Sequence, residues 1–168
     1  MKTTNEPNQK TGTCLVIGVG NAHRRDDGVG LRVAQGIKDK KLEYTTALGH
    51  HGEGGSLMDS WKQQDNVILI DAVRSGLSPG RIHRIDARTE QLPSDFFHYS
   101  THAFSVAEAV ELDRTLGNLP PNFIIYGIEG QDFSSGLGLS PDVAAAAIKV
   151  EAMILAELEN LRPQSKGD

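Results

Sequence analysis

Residues 14–31 read C-L-V-I-G-V-G-N-A-H-R-R-D-D-G-V-G-L, an apolar strand that runs through two glycines into a polar loop and then into the start of a helix. Cys14, Leu15, Val16 and Ile17 are apolar at every position, the pattern of a strand covered on both faces in the middle of a parallel sheet. Gly18 and Gly20 permit a tight exit that a side chain would obstruct. Asp26 and Asp27 then open the next helix. The unpaired N–H groups of a first helical turn favour negative charge, so capping explains one of the two aspartates. The other is left over at a strand-to-helix junction, where a site would sit.

Two bland readings of the stretch are disfavoured on chemistry. G18-V-G20-N-A-H23 begins like a dinucleotide fingerprint, but His23 stands where the third glycine belongs, and acidic residues at the helix start would repel a pyrophosphate. A P-loop is excluded because no Gly-Lys-Ser/Thr follows at the required spacing.

Working outward, Val29, Val33, Ala34 and Ile37 fall at helical spacing, which predicts a helix over 27–40 ending in the basic Lys38, Lys40 and Lys41. A short strand follows around 43–48. The segment H50-H51-G-E53-G-G-S56 is too glycine-rich for regular structure, and Ser56 is expected to cap a helix carrying Leu57, Met58 and Trp61. Val67–Val73, V-I-L-I-D-A-V, is a continuous apolar run whose far end bears Asp71. Carboxylates are seldom buried alone, so Asp71 calls for a partner or a ligand. P79-G-R-I-H-R-I-D86 alternates behind a turn and reads as a half-exposed edge strand, with a connecting loop over 87–100. S100-T-H102 precedes a helix expected over 103–116 with Phe104, Ala107 and Val110 inside, which places His102 at its first turn. N122-F-I-I-Y-G-I128 is a further strand, and 129–139 a long glycine-rich loop. Ser140 and Pro141 then begin a last helix whose inner stripe is Val143, Ala147, Val150, Ile154, Leu158 and Leu161.

This alternation predicts an α/β fold: a three-layer αβα sandwich with a mostly parallel twisted sheet of about five strands, helices on both faces and one antiparallel edge strand. At 168 residues one domain is expected, over 13–162, with a disordered segment at 1–12 and a frayed tail at 163–168. The formal charge of −5 argues against nucleic acid or an anionic membrane as partner. Met1–Thr13 lacks the apolar core of a signal peptide, and no apolar run approaches the roughly 20 residues that span a bilayer, so a cytoplasmic location without membrane insertion is expected. Cys14 is the only cysteine, which excludes an intrachain disulfide or zinc-finger framework and reads as a small buried hydrophobe.

In such a sheet, ligands sit beyond the carboxyl ends of the strands. Asp26 or Asp27, Asp71 and the 129–138 loop all belong to that edge, and a histidine can converge with the two acids there. Hard oxygen plus imidazole suits zinc or nickel better than copper(I), which would want sulfur. The familiar nucleophile machinery is missing: there is no Gly-x-Ser-x-Gly elbow and no His-Glu-x-x-His helix, and Cys14 lies within a strand.

Taken in order, G18-V-G-N-x5-D26-D27-G-V-G30, the strand-borne D71-A, S100-T-H102, and Y126-G-I-E129 followed by G-L-G-L-S-P141 resemble the hydrogenase maturation endopeptidases over about residues 13–160. The resemblance implies an enzyme that removes a short C-terminal extension from the large-subunit precursor of a nickel–iron hydrogenase after nickel insertion, often classed as an aspartic-type endopeptidase. It also implies that Asp27, Asp71 and His102 contact the metal, and it is the resemblance that selects Asp27 over Asp26. The nickel is expected to be borne by the substrate, with zinc or cadmium able to substitute in vitro, and the enzyme to be a monomer.

Asp27 and Asp71 are also the candidates for a catalytic base; the sequence leaves open whether they activate water or only hold the metal. A non-cleaving nickel-binding assembly factor would use the same three residues. Where many members of that family carry Asp-Gly-Gly-Thr after the second strand, this chain has H50-H51-G-E53-G-G. The departure leaves the identity of the partner hydrogenase open and makes His50, His51 and Glu53 candidate contacts to the substrate tail.

Overall fold

The computed structural model describes residues 12–93, 96 and 104–162. Five strands form one sheet: β1 (Cys14–Val19), β2 (Thr45–His50), β3 (Asn66–Val73), β4 (Ile82–Asp86) and β5 (Asn122–Glu129). Their spatial order is β2-β1-β3-β5-β4; every pairing is parallel except that of β4 with β5. Among the described residues four α-helices cover the sheet: α1 (Val29–Asp39), α2 (Gly54–Trp61), α3 (Val106–Leu116) and α4 (Pro141–Leu161).

Side-chain alternation divides the core in two. Leu15, Ile17 and Val19 of β1, Val67, Leu69 and Val73 of β3, and Phe123 and Ile125 of β5 pack with Leu57, Trp61, Val106, Ala109 and Val110 of α2 and α3. On the opposite face, Val16, Ile68, Ile70, Tyr126 and Ile128 meet Val33 and Ile37 of α1 and Val143, Val150, Ile154 and Leu158 of α4. The expected three-layer sandwich is therefore the observed one. Both β1 and β3 are buried along their whole length, which is why they read as unbroken apolar runs.

The order places a topological switch point between β1 and β3, since the chain leaves β1 for β2 on one side and returns to β3 on the other. The crevice at the carboxyl ends of such a pair is where open α/β sheets bind ligands. Two glycines let α1 press close to it. A Cβ on Gly30 would lie 2.3 Å from the Ile70 carbonyl oxygen and 2.5 Å from that of Val19, and one on Gly20, at φ +145°, would lie 1.8 Å from the Asp27 carbonyl oxygen.

Several expected boundaries move, each for a local reason. The helix expected from residue 27 is preceded by a separate 3-10 turn, Arg25–Gly28, because Arg25 adopts φ 45° and turns the chain before α1 begins at Val29. Residues 50–56 are more regular than their glycines suggest. His50 ends β2, and α2 begins at Gly54, capped by the Glu53 carboxylate rather than by Ser56. Gly54 is tolerated there because the Phe104 ring occupies the space of its missing Cβ, at 2.4 Å. α3 begins at Val106, since Ser105 is extended and forms a capping box with Glu108. The expectation for His102 falls on residues 97–103, which lie outside the described residues. The expectations for the two chain ends fall on residues 1–11 and 163–168, also outside them. No helix among the described residues is long and apolar enough to cross a membrane.

Candidate functional site

Asp26 and Asp27 leave β1 side by side and face different tasks. Asp26 is fully buried and accepts hydrogen bonds from Gln131 N (2.8 Å), Asp132 N (2.8 Å), Ser140 N (2.7 Å) and the Ser140 hydroxyl (2.8 Å). Burial alone would raise its pKa, but the backbone donors of Asp132, Ser140 and Gln131 and the Ser140 hydroxyl outweigh that and hold it below the usual carboxylate range. Asp26 caps no helix of its own: it ties the 130–140 loop to the end of β1. Backbone bonds from Arg25 N to Gly136 O (3.1 Å), Gly136 N to His23 O (2.9 Å) and Asp26 N to Asp132 O (3.0 Å) complete the seam. Ser140 stands at the N-cap of α4, yet its hydroxyl serves Asp26 instead of the helix.

Asp27 receives one hydrogen bond, from Asn21 N to Oδ2 at 3.0 Å. Burial raises its pKa against the opposing pull of Arg24 and Asn21. Asp71, at the carboxyl end of β3, is 8% exposed and bonded at Oδ1 by its neighbour Ala72 N at 2.8 Å. Burial, and next the charge of Asp27, push the Asp71 carboxyl well above its usual range. The charge of Asp27 thus adds to the cost of ionising Asp71 across the switch point, and a cation bound between the two carboxyls would relieve it. The expected pair of acids is thus brought together. Among the described residues no third ligand-type side chain completes a cluster with them, and His102 lies outside those residues.

The candidate substrate contacts have internal partners. His50 accepts from Gly52 N at Nδ1 (2.9 Å), and its Nε2 lies 3.0 Å from the Ser56 hydroxyl. Glu53 accepts from Gly55 N and Ser56 N, each at 2.8 Å. His51 is exposed and stacks on His50 with ring centroids 4.8 Å apart. This loop adjoins the crevice, because His50 pairs with Val19 at the end of β1. Cys14 is buried, and burial followed by the charge of Glu157 pushes its thiol up to about 12, so it stays protonated and unreactive at neutral pH.

A second titratable group at this edge was not singled out as a site by the sequence. Glu129, 1% exposed at the end of β5, takes His83 Nε2 on Oε1 at 3.0 Å and Ser75 N on Oε2 at 3.1 Å, and the Ser75 hydroxyl also donates to Oε1. The His83 ring lies against Phe96, with centroids 4.5 Å apart. The available signal was a carboxylate at the carboxyl end of an apolar strand, the same signal that marked Asp71.

A family model for hydrogenase maturation proteases matches residues 49–157. A putative hydrogenase maturation protease of Methanocaldococcus jannaschii is 30% identical over 153 residues, covering 86% of this chain and 96% of that protein. The hydrogenase 2 maturation protease of Escherichia coli K12 is 26% identical over 148 residues, covering 86% and 89%. In fold, the chain is similar to the hydrogenase maturating endopeptidase HybD of E. coli, with a TM-score of 0.72 at 23% identity over 88% of this chain and 93% of that one. An α/β sandwich with an acidic crevice at its switch point is thus, in this case, a peptidase scaffold. The chain belongs to the hydrogenase maturation protease family and is a hydrolase of the peptidase class.

Proposed function

We propose that this protein removes the C-terminal extension of a nickel–iron hydrogenase large-subunit precursor once nickel has been inserted, and that it recognises the substrate-borne nickel through Asp27, Asp71 and His102. The observation that carries the reading is the pair Asp27 and Asp71. They share the crevice between β1 and β3, burial raises the pKa of both, the charge of Asp27 raises that of Asp71 further, and a single hydrogen bond among the described residues reaches each carboxyl. Adjacent Asp26 is fully buried and held by four donors, three on Oδ2 and one on Oδ1, so it is committed to the 130–140 loop rather than presented to a ligand.

Two chemical routes follow from this arrangement. In one, of the aspartic type that the family resemblance implies, Asp27 or Asp71 takes the proton of the attacking water while the metal polarises the scissile carbonyl. In the other, the carboxylates hold the metal and a separate group takes the proton. A carboxylate lone pair committed to a metal is a poor proton acceptor, which favours the second route. His51, exposed beside the crevice, is positioned to meet the substrate tail together with the His50 and Glu53 turn.

Mass spectrometry of a nickel-loaded precursor incubated with the protein tests the reading. Loss of a C-terminal peptide is expected. Stable association with a precursor that stays at full length would instead identify a nickel-binding assembly factor.

A further inference from the structure

The strand register sets a polar row across the carboxyl edge of the sheet. His50 pairs with Val19, Gly18 pairs with Ile70 so that Asp71 follows beside Val19, Asp71 pairs with Gly127, and Gly127 pairs with His83. Asp71 alternates with Leu69 and Val73, and His83 with Ile85, all in the core beneath α2 and α3, so both point to that one face. Two strand spacings separate them, about 10 Å between backbones. The position between is a glycine, beneath the Val73 methyls, where a Cβ would meet Val73 Cγ1 at 2.8 Å. The Val73 methyls fill the space above Gly127, so a peptide tail bound through a metal at Asp71 would reach His83 by running along the carboxyl edge of the sheet.

Glu129 does more than a loop anchor requires. The turn between β3 and β4 is already fixed by Gly80 N to Glu129 O (2.8 Å), Glu129 N to Arg81 O (2.9 Å), and the two donors of Ser75 on the carboxylate. The histidine is surplus to that anchoring. An ionised carboxylate only accepts, so a neutral imidazole bonded to one through Nε2 carries its hydrogen there and its lone pair on Nδ1. No donor among the described residues occupies Nδ1. An imidazole held by a buried carboxylate on one nitrogen, with no partner among the described residues on the other and the ring 15% exposed, has the arrangement of an oriented general base.

Resting on the function proposed above, we propose that His83 is a catalytic residue, the general base for cleavage, and that Glu129 is its positioning residue. Water oxygen attacks the scissile carbonyl carbon as His83 Nδ1 takes its proton. The tetrahedral intermediate then collapses with breakage of the C–N bond, and the imidazolium returns the proton to the departing amine. The products are a new C-terminal carboxylate and a free amino terminus, with no change of oxidation state.

The test compares wild type, His83→Ala and His83→Gln on a nickel-loaded large-subunit precursor, with folding of each checked by thermal melting. Gln keeps an N–H for Glu129 but cannot carry a proton, so the proposal does not depend on His83→Ala folding. Both variants are expected to lose about 10²–10⁴-fold in kcat with KM little changed. Added imidazole should raise turnover of His83→Ala and leave His83→Gln unmoved. Wild-type kcat in either variant, restoration of activity by Gln, or a defect confined to KM would overturn the assignment of His83 while the proposed function stood. Failure of wild type to cleave would remove the proposed function, and this inference with it.

Discussion

Asp26 carries four hydrogen bonds from the 130–140 loop and Asp27 one from its own turn, so substitution of these neighbours should separate stability from ligand binding. Asp26→Ala strands buried N–H groups and is expected to cost about 2–4 kcal/mol, read as a lowered denaturation midpoint, with metal affinity changed less than in Asp27→Ala. The sign with pH follows from its depressed pKa. The contribution of Asp26 is complete above the unfolded carboxylate range, near pH 4, and is lost as pH falls through the lower folded value. Asp71 has the opposite sign: its folded pKa lies above the unfolded one, so stability declines as pH rises from near 4 through the folded value. Asp71→Asn should therefore raise the melting temperature of the metal-free chain at pH 7.5, by about 2–4 °C for each 1 kcal/mol recovered, while weakening divalent metal binding at least about tenfold, or ~1.4 kcal/mol. A melt and a metal titration on the same protein check both halves; a variant that melts lower and binds as well as wild type would contradict the reading of Asp71. Cys14→Ala should keep full cleavage, because the buried thiol is held protonated.

At the scale of elements, the apolar strands and the long helix α4 were legible because burial on one or both faces imposes a period that survives in a single sequence. β1, β3, β5 and α4 all lie where that period placed them, to within a residue or two. What the period cannot convey is a tertiary partner. Glu53 rather than Ser56 caps α2, because the Phe104 ring admits a glycine at the first helical position and starts the helix two residues before Ser56. The adjacency of Asp26 to Gln131, 105 positions apart, is equally invisible locally, which is why helix capping looked sufficient for it. Glu53→Ala should cost about 1 kcal/mol through loss of the α2 cap, measured by denaturant melting, and an unchanged midpoint would contradict the capping role. Gly30→Ala should cost more, about 1–3 kcal/mol, since its methyl would be driven into the Ile70 and Val19 carbonyl oxygens and would lift the start of α1 away from Asp27.

For the whole molecule, strand order determines what meets what. The sequence supplied carboxylates at strand ends, but only the order β2-β1-β3-β5-β4 makes the ends of β1 and β3 adjacent and brings Asp27 beside Asp71. The same order sets Glu129 one strand and His83 two strands further along the edge, through a pairing of β4 with β5 that intervening sequence conceals. The roles of Asp27, Asp71 and His102 as metal contacts come from the family resemblance, and His102 lies outside the described residues. A crevice offering carboxylates and an imidazole to a metal already held by a substrate would make docking contingent on that metal, and so give cleavage its specificity. Side-by-side digestion of matched nickel-loaded and nickel-free precursors, with metal content determined for each, is the decisive measurement: we expect the loaded precursor to lose its C-terminal peptide and the nickel-free one to stay intact, whereas equal cleavage rates would contradict metal recognition by this site.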